Sequence, residues 1–157
     1  MPRLLVPEAY HPILQFRFWV TTSKLPGAQF YVKSASQPTA QHNPVTVDYI
    51  NSYFKVKGKT RWDSITLGCY NFEGITATEL YAYLQEHQAT DSATDNRAPA
   101  YKHDLQLMLL GPDEAPVGTW KLVGAFYESV QWGDHDRSTD DVVLANLTIC
   151  YDYATYS

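Results

Sequence analysis

The strongest constraint on the fold lies between Val117 and Tyr153, where two long alternating runs flank an acidic turn. In the first run Trp120, Leu122, Phe126 and Val130 share one face. In the second, Val143, Ala145, Leu147, Ile149 and Tyr151 do, because side chains of a strand alternate with period two. Between them stand Asp134, Asp136, Asp140 and Asp141. A chain with this pattern closes on an antiparallel strand pair, and its core is built from sheet faces.

Composition agrees. Twelve Tyr and 14% aromatic residues favour strands over helices. A chain of 157 residues fits one domain over 1–157, with enough length to bury a sizeable core. The net charge of −5 opposes non-specific binding to nucleic acid, whose affinity comes mainly from cations neutralising phosphates. No apolar run approaches the roughly 20 residues that cross a bilayer. Met1 to Pro7 is too short for a signal peptide and is broken by Pro7, so the chain reads as soluble, made in a cytoplasm and without a membrane partner. In that setting Cys69 and Cys150, both within apolar strand patterns, read as buried free thiols rather than a disulfide. The sequon at Asn146 then reads as accidental.

Residues 1–12 hold three prolines and suit an extended arm. Ile13 to Thr22 alternates as a half-buried strand with Leu14, Phe16, Phe18 and Val20 on one side. A turn at Leu25-Pro-Gly27 leads to a short strand from Phe30 to Ser34, and Ser36 to Pro44 reads as a polar loop. Residues 45–70 read as one long protruding hairpin, turning at Lys57-Gly58-Lys59. Thr76 as N-cap, Glu79 closing a capping box and Ile75 stapling onto Leu80 predict a helix over 76–88 that buries Leu80, Tyr83 and Leu84. Residues 89–100 have little to bury and read as a mobile surface loop. Tyr101 to Leu110 is a further strand. The expectation is a mainly β fold: a small antiparallel β-sandwich or barrel, one flanking α-helix and the hairpin.

No constellation points to catalysis. There is no Gly-x-Ser-x-Gly elbow, His-Glu-x-x-His, Cys-x-x-Cys or glycine-rich phosphate loop, so neither an enzyme nor a cofactor is expected. His103 alternates with Leu105 and Leu107 and reads as a core or interface histidine. The Asp134 to Asp141 cluster with His135 lacks the middle Gly and terminal Glu of a calcium loop, and reads as a turn whose carboxylates satisfy local backbone donors. Lys55, Lys57, Lys59 and Arg61 occupy alternate positions beside Tyr53, Phe54 and Trp62. Such a cationic, aromatic tip suits docking on an acidic partner, although lysines also protect exposed strand edges.

The order of these features resembles the tail tube proteins of contractile phages. The matching elements are Trp120-Lys-Leu-Val-Gly-Ala-Phe126, Gly133-Asp-His-Asp136, Ser138-Thr-Asp-Asp141 and Leu147-Thr-Ile-Cys-Tyr-Asp-Tyr153, with Phe16 to Val20, the basic hairpin and one helix upstream. The resemblance implies hexameric rings that stack into the inner tail tube of a virion, assembled in the host cytoplasm. Genome ejection would pass through its lumen. Implied partners are further copies of the chain, a sheath protein, baseplate or initiator and terminator proteins, and DNA with a tape measure protein held in the bore without specific binding. On this reading Tyr53, Phe54, Lys55, Lys57, Lys59 and Arg61 meet Asp134, Asp136, Asp140 and Asp141 of the adjacent ring. Asp48, Ser64, Thr66, Asn146, Thr148 and Asp152 are candidate lumen residues of an acidic bore. The same fold serves type VI secretion and phage-derived injection tubes. A monomeric β-barrel that binds a small ligand or nucleic acid is the alternative from another class.

Overall fold

The structure, a computed structural model, describes residues 12–89 and 94–157. The expected arm over 1–12 lies, apart from Pro12, outside the described residues. Two antiparallel sheets enclose the core. The first is built from β1 (Phe18–Thr22), β8 (His103–Leu110), the leading half of β9 (Pro116–Gln131) and β11 (Tyr153–Tyr156). The second holds the trailing half of β9 with β10 (Leu144–Cys150), β5 (Ile65–Tyr70) and β2 (Val32–Ala35). The strand path runs β1-β8-β9-β10-β5-β2, with β11 paired only to β9, so among the described residues β1, β2 and β11 each pair on one side only.

One strand can serve both sheets because β9 changes phase twice. Gly124 has φ 69° and occupies a register shift against β8. It holds the left-handed conformation that glycine adopts without strain, and a Cβ there would overlap the Asp152 carboxylate. A second irregularity opposite Thr148 and Ile149 leaves Glu128 unpaired and returns Val130 to the core side, paired with Leu147. The predicted face of Trp120, Leu122, Phe126 and Val130 therefore holds for three of its four members. Phe126 is carried to the other side, where its ring meets Tyr101 edge-on at 5.8 Å. The second predicted face is buried at Ala145, Leu147, Ile149 and Tyr151, with Val143 half-buried. What reads as one closing strand is two, divided at Asp152, whose backbone N–H donates to Val123.

Helix α2 (Thr76–His87) lies where the spacing predicts and buries Leu80 and Tyr83, but its start differs. Ile75 precedes it and is 50% exposed, so no staple forms. Thr76 does not cap the helix. It is buried, donates from its hydroxyl to the Tyr70 carbonyl at 2.6 Å and accepts from the Phe72 N–H at 3.1 Å, tying the helix to the end of β5. Glu79 instead reaches across to the turn at Gly27. There α1 (Ala28–Tyr31) replaces the first half of the predicted Phe30 to Ser34 strand, because Ala28 and Tyr31 are both buried three residues apart. Leu14 and Phe16 fall in the turn before β1 rather than on its buried face, and Phe16 is 73% exposed.

In the 89–100 segment, β6 (Gln88–Ala89) pairs with β7 (Thr94–Asp95), and α3 (Ala98–Tyr101) follows as one turn. That part of the expected loop is regular. Cys69 and Cys150 are free, and burial pushes the Cys69 thiol up to about 11. Among the described residues no helix is long and apolar enough to cross a membrane.

Candidate assembly interface

The hairpin consists of β3 (Thr39–Tyr49) and β4 (Ser52–Asp63), which pair with each other and, among the described residues, with no other strand. It is longer at its start and shorter at its end than expected. Of the predicted polar loop from Ser36 to Pro44, the part from Thr39 onward is the first half of β3, polar because both of its faces meet water. Residues 65–70 belong instead to β5, within the second sheet. The turn is at Ile50-Asn51, where it brings Val45 opposite Val56 and Val47 opposite Phe54. Gly58 does not turn the chain. It stands where the ladder shifts register between His42 and Pro44, and a Cβ there would overlap the Asn43 carbonyl. A glycine inside a strand pattern marks a bulge as readily as a turn.

The bulge divides the cations. Residues paired across a hairpin share a face. Tyr53, Lys55 and Lys57 lie with Asp48, Thr46 and Pro44, whereas Arg61 pairs with Gln41 and lies with Val45, Val47, Phe54 and Val56 on the reverse. Lys59 is in the bulge itself. The four cations therefore lie along β4 rather than around a tip, and not on one face. Arg61 is 3.6 Å from Asp63, while Lys55, Lys57 and Lys59 pair with no carboxylate among the described residues. At the root Trp62 packs on Tyr151, ring centres 6.1 Å apart, and anchors the hairpin to the core.

Asp134, Asp136, Asp140 and Asp141 are all exposed in the β9–β10 connection. Asp136 accepts hydrogen bonds from the Ser138 N–H at 2.9 Å and hydroxyl at 2.7 Å, and both hold its carboxyl below the usual range. This is the local turn chemistry expected for the segment. Among the described residues no three His, Cys, Asp or Glu side chains converge as a metal site.

Of the candidate lumen residues, Thr66, Thr148 and Asn146 come together on the face of the second sheet opposite the core. Thr148 pairs with Thr66 on one side and Ser129 on the other, and Asn146 pairs with Gln131. Ser129 and Gln131 are thus members that the alternation of β9 conceals, since the unpaired Glu128 shifts its phase. Ser64 adjoins this face and donates to Glu128 at 2.6 Å. Asp48 is on the hairpin, and Asp152 is at the β10–β11 corner, 2.9 Å from the Lys102 ammonium. The shared rows across β5, β10 and β9 are hydroxyl and amide rather than acidic.

Beneath α2, the Tyr101 carbonyl accepts from His103 Nδ1 at 3.1 Å, and the Tyr83 hydroxyl lies 3.4 Å from Nε2. His103 is a satisfied, nearly buried histidine, as its strand position predicts. His87 Nδ1 donates to the Tyr83 carbonyl at 2.9 Å, and its ring stacks on Tyr101 with centres 4.9 Å apart.

No protein-family model and no curated protein matches the chain. Solved structures do match in fold. The tube-terminating cap of the anti-feeding prophage aligns over 99% of this chain and 95% of its own, at TM-score 0.78 and 23% identity. A chain of the sheath–tube complex of an extracellular contractile injection system, in its extended state, aligns over 95% of this chain and 93% of its own, at 0.77 and 21%. Hcp1 from Flavobacterium johnsoniae aligns over 90% of this chain and 95% of its own, at 0.52 and 14%. The fold is that of the tube-type structural proteins of contractile injection systems. At these identities the likeness is one of fold.

Proposed function

We propose that this chain is a structural, non-catalytic subunit of the hollow inner tube of a contractile device, built as six-membered rings that stack along an axis. The observation that carries the reading is an open sheet whose strand path ends, among the described residues, in unpaired edges at β1 and β2, in a fold shared almost end to end with tube and cap proteins. Exposed strand edges invite pairing with another chain. Joining β1 of one copy to β2 of the next is a heterologous contact, and such contacts close into rings when the rotation permits.

In this reading the hydroxyl and amide face of β5, β10 and β9 lines the bore. Rows of hydroxyls and amides carry no cation to hold a phosphate, and so let a polymer slide. The hairpin reaches the adjacent ring, where Tyr53 and the cations on its face, Lys55 and Lys57, meet the exposed Asp134 to Asp141 turn. A sheath surrounds the tube, and baseplate and terminator proteins close its ends. The neighbours include an extracellular contractile injection system and a type six secretion system protein, which favours an injection or secretion device over a phage tail. A virion tail tube makes the same architectural demands and is the second reading. Sedimentation velocity at rising protein concentration tests the assembly: rings of six and their multiples support it, and a single 17.8 kDa species throughout contradicts it.

A further inference from the structure

The tip half of the hairpin is two-faced. Val45, Val47, Tyr49, Phe54 and Val56 share one face, with no charged side chain among them, and are between 37% and 66% exposed. Ile50 at the turn is 90% exposed. The reverse of the same half carries Thr46, Asp48, Tyr53, Lys55 and Lys57. An isolated two-stranded hairpin is marginal in water, and a ribbon with one apolar face needs a surface to cover it. Among the described residues no other strand pairs with this one.

Building on the tube reading above, we propose that the apolar face of Val45, Val47, Tyr49, Phe54 and Val56 is the face by which the hairpin seats on a second copy of this chain. In this arrangement the cations on the reverse set orientation rather than supply the hold. Charge identifies the occupant. Residues 39–63 hold four cations against Asp48 and Asp63, a surplus of two, which leaves −7 on the rest of a chain whose net charge is −5. The hairpin is the positive projection of an acidic molecule, and the surface that best complements it is another such molecule. An anionic lipid surface would attract Lys55 and Lys57 but repel the acidic body behind them.

The contact does not depend on ion pairing alone, since exposed ion pairs contribute little and are screened by salt, whereas apolar burial is not. The test compares the unmodified protein, a Val47→Ser/Phe54→Ser variant and a Lys55→Ser/Lys57→Ser variant by sedimentation velocity at low and high salt. Thermal melting of each serves as the control for folding. The unmodified protein should assemble at both salt concentrations. The Val47→Ser/Phe54→Ser variant should melt normally and assemble more than roughly tenfold more weakly at both. The lysine variant should assemble with a smaller loss. Assembly of Val47→Ser/Phe54→Ser equal to the unmodified protein overturns the proposal while leaving the tube reading intact. Loss of assembly in high salt overturns it as well. An unmodified protein that stays monomeric, or that floats with phosphatidylglycerol vesicles through the same face, removes both readings.

Discussion

A side chain at position 58 would overlap the carbonyl oxygen of Asn43 across the hairpin. The missing Cβ of Gly58 is what admits the bulge, and the bulge is what turns Arg61 away from Lys55 and Lys57. Replacing Gly58 by Val should distort the hairpin without touching the core, because β3 and β4 are exposed along nearly their whole length. The melting temperature should change by no more than a few degrees, while assembly measured by sedimentation should fall steeply. A variant that assembles normally removes the bulge from the account.

A second prediction concerns Glu79 and Tyr31. The Tyr31 hydroxyl donates to the Glu79 carboxylate at 2.7 Å, and the Gly27 N–H donates to the same oxygen at 3.3 Å. Burial, with the adjacent carboxylate, raises the Tyr31 pKa, so the hydroxyl stays protonated and donating. Tyr31→Phe and Glu79→Gln should each cost on the order of 1 to 3 kcal/mol, as a hydrogen bond to a charged group does. Because the two residues share one interaction, the double variant should cost less than the sum. Urea denaturation of the four proteins checks this, and strict additivity would show that the pair is not coupled.

Acid should weaken the fold through His87 and His103. Burial is the largest cause holding both imidazoles below the usual histidine range. Lys24 lowers both further, His103 lowers His87, and Glu86 opposes these effects on both. A base with a depressed folded-state pKa takes its proton first in the unfolded chain. Stability is therefore complete above the unfolded value of about 6.5 and is lost as pH falls through that value toward the folded one. His87 Nε2 has no hydrogen-bond partner among the described residues, so His87→Phe sacrifices little and keeps a ring against Tyr83, Tyr101 and Tyr127. The urea midpoint of the unmodified protein should drop between about pH 7.5 and 5.5 by more than that of His87→Phe. Equal drops would place the sensitivity elsewhere.

The sheet faces were legible because alternation survives in straight strands: Ala145, Leu147, Ile149 and Tyr151 are buried as a set. Legibility ends where one residue is inserted. Glycine has no side chain to declare whether it turns the chain or bulges it, so Gly58 reads as a turn and Gly124 gives no sign of its phase change. Thr76 is ambiguous for a similar reason, since a hydroxyl that caps a helix and one that binds a buried carbonyl look alike in sequence. The polar row of Thr66, Thr148 and Asn146 is visible as alternation. Its continuation through Ser129 and Gln131 appears only once β9 is in register. The division of the hairpin cations between two faces depends wholly on the Gly58 bulge, which no spacing rule supplies.

The stacked-ring assembly is tested most directly by electron microscopy of the purified protein over a rising concentration series. Hollow rings of six copies should appear, lengthening into tubes as concentration increases. Isolated particles of monomer size, 17.8 kDa, at every concentration would contradict it.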